Sequence, residues 1–111
     1  MVGQSDELIQ VLLDGDAEFG DRHDAAMDLS SFEGNTVEEA LMRIACDKDA
    51  DEELADACGE SLAEIWCRKN RVNEGILVKL VPASMKIALA TLRACSPMLA
   101  ADADRILSAS E

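Results

Sequence analysis

The chain has 111 residues, and its 23 acidic and 10 basic residues give it a formal net charge of −13 at pH 7. This length suggests one domain with a modest hydrophobic core. Residues 1–64 hold 19 acidic and 3 basic residues, whereas residues 65–111 hold 4 acidic and 7 basic residues. Because phosphate groups would repel the acidic half, we expect no nucleic acid as partner, and a basic protein surface instead.

The composition favours an all-α fold. There are two prolines, six glycines and no long alternating β-branched run, so helices are expected rather than a sheet. No apolar run approaches the length needed to cross a bilayer, and the segment MVGQSDELIQ lacks the features of a secretory signal. We therefore expect no membrane association and a cytoplasmic location.

Two helices are predicted in the first third of the chain. The first starts with Ser5 as its cap and ends at the acidic turn 14–16, with Leu8, Val11 and Leu12 on one face. The second helix covers about residues 17–32 and buries Ala25 and Leu29. An acidic stripe runs beside its apolar face and consists of Asp21, Asp24 and Asp28.

The next two helices form the best-defined hairpin. Asn35 or Thr36 can cap a helix over about residues 36–46, and Asp49 or Asp51 can cap the helix that follows a second acidic turn, 47–51. Trp66 is expected near the edge of the apolar face of this second helix. Another face carries a second acidic stripe, which consists of Glu53, Asp56, Glu60 and Glu64.

The pattern weakens after residue 70. A short helix is predicted over 76–81, and Pro82 then replaces the acidic turn. A further helix covers about 85–95, and a last one covers 98–108. This last helix is expected to cover the exposed end of the stack.

A shift of 33 residues superimposes the first two hairpins. Leu8 then falls on Leu41, Leu29 falls on Leu62, and the turn 14–16 falls on 47–49. We therefore predict a single domain, 1–111, with repeated units at about 5–34, 35–70 and 72–96 and a capping helix at 97–109.

Neither a metal site nor a cofactor is expected. The turn 47–51 has the first three acidic positions of an EF-hand loop, but Glu52 stands where glycine is needed and Cys58 where a bidentate carboxylate is needed. The four cysteines, Cys46, Cys58, Cys67 and Cys95, lack the spacing of zinc ligands. They are interpreted as reduced thiols acting as small hydrophobic residues.

The middle unit resembles HEAT-like repeats of the bacterial lyase-associated kind. The residues that carry this resemblance are Ala-Leu-x-x-Ile-Ala-Cys-Asp-x-Asp from Ala40 and Leu-Ala-x-Ala-Cys-x-x-x-Leu-Ala-x-Ile from Leu54. The valine-arginine pair that usually follows the turn is replaced by residues 53–55, Glu-Leu-Ala. The resemblance implies a short right-handed helical solenoid that binds other proteins.

Catalysis is not expected. His23 lies in Asp-Arg-His-Asp without a positioned partner visible in the sequence, and the scattered glycines form no phosphate-binding loop. In a stacked array the two acidic stripes would adjoin and repel each other. Because this repulsion destabilises the fold, the charges are expected to serve a function. We therefore hypothesise a non-enzymatic protein whose acidic surface docks a basic partner.

The resemblance offers one specific form of this role and two alternatives. Immunity proteins of HEAT-like fold neutralise nuclease toxins, which are basic. A subunit or chaperone like the HEAT-like bilin lyases is the first alternative, although one tryptophan and no tyrosine offer a pigment few stacking partners. The second is a scaffold or dimer module that would use Trp66 and the basic segment 68–71.

Overall fold

A computed structural model describes residues 3–110, so Met1, Val2 and Glu111 of the predicted domain 1–111 lie outside the described residues. Within that range the chain forms seven α-helices and one short 3-10 helix, and no strand, which confirms the predicted all-α class. The helices are α1 (Gln4–Leu13), α2 (Phe19–Asp28), the 3-10 helix (Leu29–Ser31), α3 (Asn35–Ala45), α4 (Glu52–Lys69), α5 (Glu74–Leu77), α6 (Pro82–Cys95) and α7 (Pro97–Ala109).

Helix α4 is the centre of the hydrophobic core. It packs against α2, α3 and α6, whereas α1 packs on α2 and α7 packs on α6. Leu54, Leu62 and Ile65 of α4 are buried, as are Leu12 of α1 and Leu92 of α6. Ten of the 18 residues of α4 are buried, so only a narrow side of this helix remains for contact with solvent.

The two acidic turns have the same hydrogen bonds 33 residues apart. Asp14 Oδ1 accepts from the Asp16 N–H at 2.9 Å, and Asp47 Oδ1 accepts from the Asp49 N–H at 2.9 Å. In both turns the carbonyl oxygen of the first aspartate also accepts from the amide three residues on, at 3.1 Å. The aspartates thus replace solvent as partners of the backbone where each helix ends.

Asp51 of the second turn, like Asp47, has its carboxylate bonded to the backbone. Asp51 caps α4, since its Oδ1 accepts from the Glu53 and Leu54 amides at 2.9 and 3.2 Å. Across residues 3–110 there is no group of three or more histidine, cysteine, aspartate or glutamate side chains that could hold a metal ion.

Several helix ends differ from the predictions. Gly3 rather than Ser5 precedes α1, and Gly34 rather than Asn35 or Thr36 precedes α3. Gly34 has a φ of 121°, which a residue with a side chain rarely adopts, and so it can turn the chain sharply into α3. Helix α5 covers 74–77 instead of 76–81. The Asn73 side chain caps its start by accepting from the Ile76 amide at 3.2 Å, and beyond its end the amide of Val81 donates to the carbonyl oxygen of Ala45.

Helices α4 and α6 cross at a glycine. Gly59 is buried, and a Cβ built on it would lie 2.6 Å from the Ser84 carbonyl oxygen and 2.8 Å from Ser84 Cβ. Ser84 cannot easily yield, because it is fully buried and its hydroxyl donates to the Ala45 carbonyl oxygen at 2.6 Å. The contact therefore requires glycine on α4.

We expect the Gly59→Ala variant to lose about 2 kcal/mol of unfolding free energy, because overpacking outweighs the higher helix propensity of alanine. Gly20→Ala is the matched control, since a Cβ at that helical position would meet no atom within 4 Å beyond its chain neighbours and its own helix backbone. This control should gain about 0.5–1 kcal/mol. Urea unfolding of both variants measures the difference, and equal stability of the two would contradict the crossing described here.

The expectation of four reduced thiols is wrong for two of them. Cys67 at the end of α4 and Cys95 at the end of α6 form a disulfide with a Cα–Cα distance of 6.4 Å. Cys58 is buried, which raises the pKa of its thiol to about 12, and Cys46 is a half-buried free thiol. The helical spacing of the cysteines could not reveal the pairing, because it depends on how α4 and α6 are packed.

Candidate functional site

The acidic stripe of α4 lies on the one side of that helix that the core leaves uncovered. Glu53 and Asp56 are exposed, and Glu60 and Glu64 are half-buried. Steps of three and four residues place these four side chains along a single line parallel to the helix axis. We refer to Glu53, Asp56, Glu60 and Glu64 as the α4 ridge.

A shallow groove of about 260 Å³ runs between the α4 ridge and α2. From α2 it is lined by His23 and Met27, and from α4 by Ala57 with three acids of the ridge, Glu53, Asp56 and Glu60. The floor is thus partly apolar, and the wall on the α4 side carries carboxylates.

The acidic stripe of α2 lies beyond this groove. Asp21, Asp24 and Asp28 are exposed, but they do not line the groove. Asp24 and Asp28 each follow a groove residue, and one step along a helix rotates a side chain by about 100°. His23 and Met27 are therefore the residues through which α2 meets the ridge, and a single surface made of both stripes stays a prediction.

Glu60 has the most perturbed environment on the ridge. Partial burial raises the pKa of its carboxyl, and repulsion from Glu64 and Asp56 raises it further, while His23 acts in the opposite direction. The His23 ring centroid lies 5.8 Å from that of Phe19, which is 43% exposed. The ridge thus concentrates negative charge next to an aromatic and apolar patch.

Stability should depend on pH through Glu60. A carboxyl whose pKa is raised in the folded state binds a proton more tightly there than in the unfolded state, so folding is favoured as pH falls. We expect wild-type unfolding free energy to rise between pH 7 and the ordinary glutamate range, and to rise less in Glu60→Gln. Thermal unfolding over this pH range is the measurement. A steeper rise in the variant than in the wild type would contradict the assignment.

No acid of either stripe forms an ion pair within the described part of the chain. The ion pairs found there are Arg68–Glu33, Lys69–Glu38, Arg93–Asp104 and Arg105–Asp102, and none includes a residue of either stripe. Apart from the effect of His23 on Glu60, their charge is left to solvent and its ions.

The basic segment 68–71 is largely occupied by contacts within the chain. Arg68 donates to Glu33 at 3.0 Å and to the carbonyl oxygens of Ser30 and Phe32 at 2.8 and 3.0 Å. These bonds join the end of α4 to the 3-10 helix and to the segment that connects it to α3. Trp66 has no exposed surface, so the predicted scaffold contact through Trp66 is wrong.

The Trp66 side chain reaches a buried carboxylate on α3. Its Nε1–H donates to Glu38 Oε1 at 2.7 Å, and Lys69 Nζ donates to Glu38 Oε2 at 2.8 Å. The side chain of Glu38 is only 5% exposed, so both of its partners are needed to stabilise the charge there. A cavity of about 440 Å³ adjoins this cluster.

No match is found among models of known protein families, curated proteins or solved structures.

The role of Glu38 was not predicted from the sequence. It lies in the first turn of a predicted helix, where a carboxylate is explained by the helix dipole alone. Its partners are 28 and 31 residues away, and no local spacing connects them. The only available signal was the single tryptophan, which is a large side chain whose N–H needs an acceptor when buried.

Proposed function

We propose that the protein is a non-enzymatic binding module with a HEAT-like arrangement of helical hairpins, and that its acidic surface docks a basic protein. The observation that carries this proposal is the α4 ridge, in which four acids without ion-pair partners are held on the central helix of the core. A rigid helix presents such charges with little loss of side-chain and backbone freedom on binding.

The order of helix packing supports the HEAT-like part of the proposal. Helix α1 packs on α2 and α3 packs on α4, while α2, α4 and α6 pack in sequence. Helices α1 and α3 are also in contact. Two layers of successive helices are the arrangement expected when helical hairpins stack on one another.

The groove beside the ridge supports the choice of a basic protein as the partner. A lysine or arginine side chain has an aliphatic stem that suits Met27 and Ala57, and a cationic end that suits Glu53 or Glu60. Nuclease toxins carry such basic surfaces, so we retain an immunity role as the specific form of the proposal. Opposite net charges would also accelerate association at low salt.

The expected cellular location is affected by the disulfide. None of the helices in residues 3–110 is both long and apolar enough to cross a lipid bilayer. The Cys67–Cys95 bond is of a kind rarely found in the cytosol, which favours an oxidising environment. The cytoplasmic location stays a prediction.

The proposal can be tested by neutralising the ridge. In one variant Glu53, Glu60 and Glu64 become glutamine and Asp56 becomes asparagine. In the matched control the same number of exposed acids are neutralised elsewhere, by Glu7→Gln, Asp16→Asn, Glu18→Gln and Glu39→Gln. The wild type and each variant are used to capture proteins from a lysate of the source cells at low salt. Each captured basic protein is then purified, and its affinity and association rate are measured with the wild type and with each variant.

We expect a basic protein to bind the wild type and the control but to bind the ridge variant about tenfold or more weakly, because each lost charge pair weakens steered association. Its association rate with the wild type should fall as salt increases. Equal binding by both variants, or rates unaffected by salt, would show that the ridge is not the docking surface.

A further inference from the structure

A cavity with a mainly polar and charged lining lies apart from the groove beside the α4 ridge. It lies where the first turn of α3 faces the end of α4 and the segment leading into α5. Its polar lining consists of Asn35, Glu38, Lys69, Arg71, Asn73 and Glu74. The volume of about 440 Å³ is within the range of sites for small molecules.

Two of the four charges in this cavity neutralise each other. Glu38 and Lys69 form the 2.8 Å pair described above, and Trp66 occupies the remaining oxygen of the carboxylate. The side chain of Lys69 is 34% exposed, and its ammonium group has three donors, of which Glu38 uses one. This part of the wall is therefore fixed and close to electrically neutral.

The other two charges are left without partners. Arg71 and Glu74 are exposed, and neither side chain forms an ion pair within residues 3–110, with each other or with another residue. The cavity thus offers a guanidinium, which suits a carboxylate, and a carboxylate, which suits an ammonium group. A ligand with only one of these charges would leave the other wall charge unmatched.

We propose that this cavity binds a small zwitterion of the α-amino acid or dipeptide class. The ligand carboxylate lies on Arg71 with support from Lys69, and the ligand ammonium group lies on Glu74. The proposal is independent of the acidic docking surface, because none of the ridge residues lines the cavity.

Calorimetric titration with neutral α-amino acids and glycylglycine tests this proposal. For each compound that binds, the N-acetyl derivative lacks the ammonium group and the amide derivative lacks the carboxylate. We expect either derivative to bind about tenfold or more weakly, since each loses one charge-assisted contact. Trp66 is the only tryptophan and the chain has no tyrosine, so its fluorescence reports on the cluster beside the cavity.

Two variants locate the ligand. Arg71→Ala should weaken binding of the zwitterion until it binds no more tightly than its amide derivative. In Glu74→Gln the zwitterion should bind no more tightly than its N-acetyl derivative. Arg93→Ala and Glu18→Gln are the matched controls outside the cavity and should bind like the wild type. All four residues are exposed, so we expect the variants to fold like the wild type, and circular dichroism verifies this.

Three results would overturn the inference. The first is the absence of calorimetric binding for the whole panel at millimolar concentration. The second is a singly charged derivative that binds as tightly as its parent. The third is binding that Arg71→Ala and Glu74→Gln leave unchanged. Each of them leaves the proposal on the acidic ridge unaffected.

Discussion

Replacing both Cys67 and Cys95 by serine should lower the free energy of unfolding by about 3–4 kcal/mol, because the disulfide closes a long loop in the unfolded chain. The two cysteines are 28 residues apart and join the ends of α4 and α6, the most extensively packed helix pair. Urea unfolding with and without dithiothreitol is the measurement. The reductant should lower the midpoint of the wild type by the same extent as the double substitution.

The double serine variant is its own control for the reductant. It retains Cys46 and Cys58, so a midpoint that shifts on reduction would point to a bond other than Cys67–Cys95. Alkylation of the unreduced, unfolded wild type should label two thiols of the four. Labelling of all four would contradict the disulfide.

Replacing Glu38 by alanine should lower the free energy of unfolding by about 3 kcal/mol, because it breaks a buried ion pair. This value is at the lower end of the range for such pairs, because the Lys69 ammonium group can still be hydrated. The variant also leaves the Trp66 N–H without an acceptor in a fully buried position. The expected result is a lower urea midpoint, together with a shift in Trp66 fluorescence as the indole loses its hydrogen bond.

Glu38→Gln separates the two contributions. Its amide oxygen can still accept from Trp66, so only the charge on Lys69 loses its partner, and the cost should be about 1 kcal/mol. A glutamine variant as unstable as the alanine variant would show that the charge, rather than the hydrogen bond to Trp66, dominates at this position.

The helices could be predicted because their signal is local. The apolar spacing of α3, α4, α6 and α7 places each within a few residues of its observed bounds. Helix α5 was predicted to reach Val81, but the amide of Val81 bonds to Ala45, which lies 36 positions earlier. Burial of Trp66 and the pairing of Cys67 with Cys95 likewise depend on which helices touch. Periodicity within one helix holds no information about that.

The candidate sites divide in the same way. The α4 ridge was predicted because side chains three and four apart on one helix must share a face. Its meeting with α2 through His23 and Met27 depends on the rotation of two packed helices, which composition does not fix. The cavity at Glu38 combines residues from α3, α4 and the segment before α5. The packing of these three parts, which local sequence patterns do not determine, creates the cavity.

The bonds from Arg68 to the segment that precedes α3 have a consequence for truncated forms of the chain. A fragment that begins at α3 would lose all three acceptors of the Arg68 guanidinium. The side of α4 that α2 covers would also be exposed to solvent. Long repeat arrays can lose a terminal unit and unfold stepwise, whereas here α2, α3 and α6 all pack on α4. We therefore expect the N-terminal helices to be indispensable and the protein to melt in a single all-or-none transition.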